Sequence, residues 1–140
     1  MYPPELVAPM AKDLTDHGFT ALKSASEVEN VIKNSDEPLL LVINSVCGCA
    51  AANARPGAKM SLDHEKAPAE LYTVFAGVDR DATTKARELM IPYPPSSPSI
   101  ALFKDGKLVH MLERHHIEGK PAEMIAENLK AAYDQYCNQD

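Results

Sequence analysis

Cys47 and Cys49 flank a single glycine in Val46-Cys47-Gly48-Cys49-Ala50, directly after the most strand-like run of the chain, Leu39-Leu40-Leu41-Val42-Ile43. Strong helix formers follow at Ala50-Ala51-Ala52-Asn53-Ala54-Arg55, so the pair sits where a strand ends and a helix starts. A helix N-terminus presents unpaired N–H groups and the positive end of the helix dipole, and both favour thiolate over thiol. The chemistry this setting supports is thiol–disulfide exchange, in which a thiolate attacks sulfur.

The one-residue spacing gives the two thiols different roles. Helix positions two apart do not face each other, so the cysteines cannot both be helical and also bond. A disulfide needs Cα atoms about 4.4–6.8 Å apart and a torsion near roughly ±90°. Cys47 is therefore expected outside the helix, at its cap or before it, with Gly48 absorbing an unusual backbone angle. The small ring predicts strain, a raised reduction potential and an easily reduced disulfide. That suits an isomerase, or a protein that resolves mixed disulfides, better than a strong reductant. Cys137, near the chain's end, has no such setting and reads as structural. A zinc or iron–sulfur site would want about four ligands, and no second close cysteine pair appears. Adjacent His115 and His116 read as solvent-facing at a strand end, so no metal is expected.

The flanking elements follow from periodicity and punctuation. Glu5–Leu14 has helical spacing, with Pro9 kinking or starting the helix and Gly18 at its C-terminal cap. Phe19–Leu22 reads as a short edge strand, and the capping-box pattern Ser24-Ala25-Ser26-Glu27 opens a helix to about Asn34. The helix after the cysteines is expected through Arg55, bent or broken at Pro56-Gly57, and continued by Met60–Lys66. Leu71–Val78 reads as a buried strand, and Asp81–Thr84 starts a helix anchored by Ala86, Leu89 and Met90. Pro92, Pro94, Pro95 and Pro98 exclude regular structure from the next loop. Ser99–Phe103 and Leu108–Leu112 form a hairpin around Asp105-Gly106, and Pro121 opens a last helix. Alternating strands and helices need crossovers, so the class is α/β: a mixed central sheet flanked by helices, with an extra helix at the N-terminus.

Composition narrows the functional classes. At 140 residues the chain fits one domain, 1–140, that needs no disulfide to hold its core. Three cysteines leave at least one thiol free. A net charge of −6 repels nucleic-acid phosphates, and the basic residues are scattered rather than striped. The N-terminal residues lack the pattern of a signal peptide, and no apolar run approaches the roughly 18 residues of a membrane span. A soluble protein of the reducing cytoplasm, with no nucleic-acid or membrane partner, is the expectation. The oligomeric state stays open.

A thiol pair after the first long strand, a proline later in the same helix, and Pro98-Ser99-Ile100-Ala101-Leu102-Phe103-Lys104-Asp105-Gly106-Lys107 together resemble the thioredoxin fold. Cys47-Gly48-Cys49, with Tyr93-Pro94-Pro95-Ser96-Ser97-Pro98-Ser99 and Glu113-Arg114-His115, is similar to the bacilliredoxins over nearly the whole chain. That resemblance implies a protein that removes bacillithiol from mixed disulfides on other proteins. Cys47 and Cys49 would be catalytic, and Gly48, Ser97, cis-Pro98 and Ser99 would contact substrate. Bacillithiol would be the thiol co-substrate, with no other cofactor, and bacillithiolated proteins the partners. The chain departs from thioredoxin in its single spacer residue and in Val46, where thioredoxins carry tryptophan. Protein disulfide isomerase and a non-catalytic thioredoxin-like binding module are the alternatives. Arg55 and Arg114 are candidates for the malate carboxylates of bacillithiol, although solvated or ion-paired surface residues are the plainer reading of both.

Overall fold

The computed structural model describes residues 2–137. Its elements run α1 (Pro4–Thr15), β1 (Thr20–Ala21), α2 (Ala25–Asn34), β2 (Leu39–Asn44), a π-helical turn (Ala50–Ala54) leading into α3 (Arg55–Ser61), and β3 (Glu70–Phe75). They continue as α4 (Arg80–Glu88), β4 (Ser99–Lys104), β5 (Lys107–Leu112), α5 (Arg114–Ile117) and α6 (Ala122–Tyr136). The five strands lie in the order β1-β3-β2-β4-β5. β3 runs parallel to both β1 and β2, whereas β4 is antiparallel to β2 and β5, which gives the expected mixed sheet.

β2 is the centre of the molecule because all six of its residues are buried. Strand side chains alternate between faces. Leu40 and Val42 accordingly join Ala54 and Ala58 of the helix after the cysteines and Ile125, Leu129 and Tyr133 of α6. Leu39, Leu41 and Ile43 join Val28 and Ile32 of α2 and Ala82 and Ala86 of α4 on the other face. Burying one such aliphatic side chain stabilises the fold by about 1.5–3 kcal/mol, so the strand that leads to the cysteines is also firmly held.

The expected capping box at Ser24 is formed, with Glu27 N donating to Ser24 Oγ and Glu27 Oε1 accepting from Ser24 N. The Asp-Gly hairpin is formed too, with φ of 53° at Asp105 and 77° at Gly106. Other boundaries differ from the sequence reading. The strand expected to reach Val78 stops at Phe75, whose carbonyl accepts the N–H groups of Val78 and Asp79 in a turn. α3 stops at Ser61 instead of running through Lys66, and the Ser61 hydroxyl donates back to Ala58 O.

Pro56-Gly57 does not break the helix. The turn before it widens so that Arg55 N donates to Ala50 O, five residues back. A helical proline crowds the carbonyl four residues earlier, and a π turn relieves that crowding. Gly57 is there for packing: a Cβ on it would come 2.6 and 2.7 Å from Ile125 side-chain carbons and 3.2 Å from Ala122 O. Gly57→Ala is expected to push α3 from α6 and destabilise the protein by about 1–3 kcal/mol, measured as a lower urea midpoint.

Candidate active site

β2 delivers the chain to Ser45 and Val46, and helical backbone begins at Gly48. Cys47 lies outside the helix, as its spacing requires. Its carbonyl accepts from Ala50 N (2.9 Å) and Ala51 N (3.3 Å), while its Sγ accepts from Cys49 N at 3.4 Å. The thiol therefore caps the helix. Gly48 does not take the unusual angle expected of it: it is helical, exposed and absent from the left-handed region. A Cβ on Gly48 would meet nothing within 4 Å. The bend is made one step earlier, where Ser45 Oγ accepts from Cys47 N at 3.2 Å, an ST turn that lifts Cys47 off the strand axis.

Both thiols are free and half-buried, with Sγ atoms 2.7 Å apart. The hydrogen bond from Cys49 is the largest influence on Cys47. Against the opposing effect of burial, that bond, the Cys49 and Ala50 N–H groups and the Arg114 cation hold the Cys47 pKa below its ordinary value. Cys49 moves the other way: burial first, then the hydrogen bond and charge of Cys47, push its pKa up, although Arg114 pulls against them. At neutral pH Cys47 is the better thiolate and Cys49 the proton-bearing donor beside it.

The second wall comes from the other end of the chain. Register pairs Ile43 with Ser99, which sets the loop before β4 beside the exit of β2. Ser97-Pro98 is cis, as the resemblance implies, and Ile91-Pro92 is cis as well, which the sequence reading did not single out. Ser97 is half-buried, Pro98 is buried and Ser99 fully so, and Ser99 Oγ has no partner among the described residues. Arg114 joins the two walls. Its N–H donates to Ser96 Oγ and its Nη1 to Ser97 O, each at 3.3 Å, and its charge acts on both cysteines. A surface ion pair with Glu118 at 3.5 Å leaves the guanidinium nearly half exposed.

Arg55 is ion-paired but is not a surface residue, being only 5% exposed. It points behind the Cys47 loop rather than into the site. His115 and His116 are exposed, as read, but on α5. With Glu113 they form a group whose ligand atoms lie within 4.8 Å of one another. His116 Nδ1 already accepts from Glu113 N at 3.0 Å, which leaves the proton of the neutral ring on Nε2 and fits a capping role better than a ligand.

Cys137 is buried against the core, and desolvation raises its pKa to about 11. Its unfolded thiol ionises earlier, so the unfolded state loses a proton first and stability falls as pH rises from about 9 to 11. A Cys137→Ala protein is expected to lack that part of the alkaline slope, about 2 kcal/mol across the interval, in urea titrations at stepped pH.

A family model described as disulphide isomerase matches residues 2–137. A bacilliredoxin of Cytophaga hutchinsonii is 59% identical over 135 residues, covering 96% of this chain and 99% of that protein. One from Halalkalibacterium halodurans is 48% identical over 136 residues, covering 97% and 94%. Among solved structures, Malassezia sympodialis thioredoxin superposes with a TM-score of 0.58 at 18% identity, over 86% of this chain and 91% of that one. Mitochondrial thioredoxin 3 of Saccharomyces cerevisiae, in its oxidised form, gives 0.57 at 19%, over 88% and 98%. The fold is thioredoxin-like.

Proposed function

This chain belongs to the bacilliredoxin family, and from that premise we propose that it is a thiol–disulfide oxidoreductase removing bacillithiol from protein mixed disulfides. The observation that supports this reading best is the pair of adjacent thiols shifted in opposite directions, Cys47 toward thiolate and Cys49 toward thiol. Cys47 Sγ⁻ attacks the bacillithiol sulfur of a modified protein. The old S–S bond breaks, the client cysteine leaves as a thiolate and is protonated, and bacillithiol remains on Cys47. Cys49 then loses its proton and attacks Cys47 Sγ, expelling bacillithiol and closing a Cys47–Cys49 disulfide. Two electrons from a low-molecular-weight thiol or a disulfide reductase restore the dithiol. In the alternative exit a second bacillithiol attacks the bound one, leaving as the symmetrical disulfide and freeing Cys47.

Gly48 supports client approach, because its Cα is exposed and nothing stands over it. Ser97 and Pro98 bound the other side, with Ser99 anchoring that loop in the sheet. The chemistry belongs in a reducing compartment, the cytoplasm. No helix among the described residues is long and apolar enough to cross a membrane.

Cys49→Ala, incubated with a bacillithiolated protein, is expected to accumulate bacillithiol on Cys47 at one per chain, visible by intact-mass spectrometry. Failure to trap it would overturn the order of attack. Protein disulfide isomerisation is the second reading, favoured by the description of the matching family. Equal rates on bacillithiol and glutathione mixed disulfides of one client, with scrambled ribonuclease also refolded, would favour it.

A further inference from the structure

Behind the cysteine loop lies a chain of polar contacts, buried at Asn44, Ser45 and Arg55 and half-buried at Asp13 and Lys59, that thiol exchange does not itself use. Arg55 Nη1 donates to Asn44 Oδ1 at 2.9 Å and to Ser45 O at 3.2 Å. Its Nε donates to Asp13 Oδ2 at 3.1 Å, and Asp13 Oδ1 accepts from Lys59 Nζ at 2.6 Å. Asn44 Oδ1 also accepts from Ser45 N at 2.9 Å, and Asn44 Nδ2 donates to Met10 O at 3.1 Å. Ser45 Oγ in turn accepts the N–H of Cys47 at 3.2 Å. Asn44, Ser45 and Arg55 are 1%, 6% and 5% exposed.

The placement of these bonds is what matters. Arg55 grows from the helix that carries Cys49, yet its guanidinium grips the two residues by which β2 hands the chain toward Cys47. Apolar packing of Leu40 and Val42 on Ala54 and Ala58 holds strand and helix together further back, and the arginine adds a directional polar tie at the point where the loop leaves the strand. Burial works against the charge of Asp13, but Lys59 and Arg55 hold its carboxyl below the ordinary range, so it remains an anion able to balance the guanidinium. A fork of donors in fixed geometry is something arginine supplies and lysine does not.

We propose that Arg55 is a positioning residue that locks the Cys47 loop to the Cys49 helix and so sets the effective concentration of one thiol at the other, with Asp13 of α1 holding the guanidinium. The N-terminal helix then belongs to the redox machinery rather than being an appendage. The property is read in the exchange of protein dithiol and oxidised glutathione for protein disulfide and two reduced glutathiones. Two S–H bonds of the protein are replaced by one S–S bond, and the glutathione disulfide takes the two electrons and two protons.

The test equilibrates the full chain anaerobically in glutathione redox buffers and measures the Cys47–Cys49 disulfide by acid quench, alkylation and mass spectrometry. Arg55→Lys is expected to lower the equilibrium constant for the disulfide about tenfold, and Asp13→Asn about threefold in the same direction. Ile32→Val, in the core on the opposite face of the sheet, weakens the fold without touching the clamp and should leave the constant within twofold of wild type. A folded Arg55→Lys protein with the wild-type constant would overturn the proposal, as would an Ile32→Val shift of equal size. If Arg55→Lys does not fold, an unchanged constant in Asp13→Asn overturns it. Bacillithiol enters nowhere in this assay, so its outcome is independent of the substrate assigned above.

Discussion

Cys47→Ala is expected to lose the release of bacillithiol from a modified protein by about a thousandfold or more, while Cys49→Ala keeps the first transfer and loses only the intramolecular exit. The asymmetry follows from position. Cys47 caps the helix and receives N–H groups on its sulfur, whereas Cys49 lies within the first turn under a desolvation penalty. Removing a nucleophile removes the covalent route altogether, and no neighbouring group replaces it, because the pKa of Cys49 is raised and its sulfur sits deeper. The measurement is the initial rate of client-thiol release, followed by non-reducing mass spectrometry, at one pH for wild type and both variants. A Cys47→Ala protein that clears its client at the wild-type rate would exchange the roles of the two cysteines.

The parts of this site that follow from local physics were legible in the sequence. A saturated apolar run followed by alanines fixes a strand-to-helix junction, and the one-residue spacing puts Cys47 outside the helix if the two thiols are to bond. Side-chain pattern likewise identified the capping box, the Asp-Gly hairpin and the last helix. Legibility stopped where distant segments meet. Proline and glycine at 56–57 signal a break in isolation, but a π turn and the close approach of α6 to Gly57 make the same residues part of a continuous helix. Gly48 looked necessary for its backbone freedom, yet Ser45 makes the bend. Arg55 was indistinguishable from a surface cation because its partners, Asp13 and Asn44, lie 42 and 11 residues away along the chain. A charged residue about two turns into a helix of small residues, with asparagine and serine ending the strand before it, is the only local trace of that network.

Arg114 carries the second large effect. It is the cation that acts on Cys47 from outside the loop, and it reaches there from α5 while bonded to the Ser97 carbonyl ahead of cis-Pro98. A cation beside a thiol favours the ionised form, so the alkylation rate of Cys47 climbs and levels off at lower pH than for a free cysteine. Arg114→Glu substitutes repulsion for attraction. The rise is expected to move to higher pH, with the rate of iodoacetamide modification near pH 7 about tenfold lower at low ionic strength and the two profiles converging once both thiols are fully ionised. Because the guanidinium is exposed, salt must erode the difference: at about 1 M the screening length is near 3 Å, and the variants should draw together. Arg114→Lys keeps the charge but not the forked donor, so it should retain most of the wild-type profile while loosening the Ser97 loop. Following Cys47 modification by peptide mass separates it from Cys49 and Cys137. An Arg114→Glu profile that superimposes on wild type at 10 mM salt would remove the arginine from the thiolate and leave it only the loop to hold.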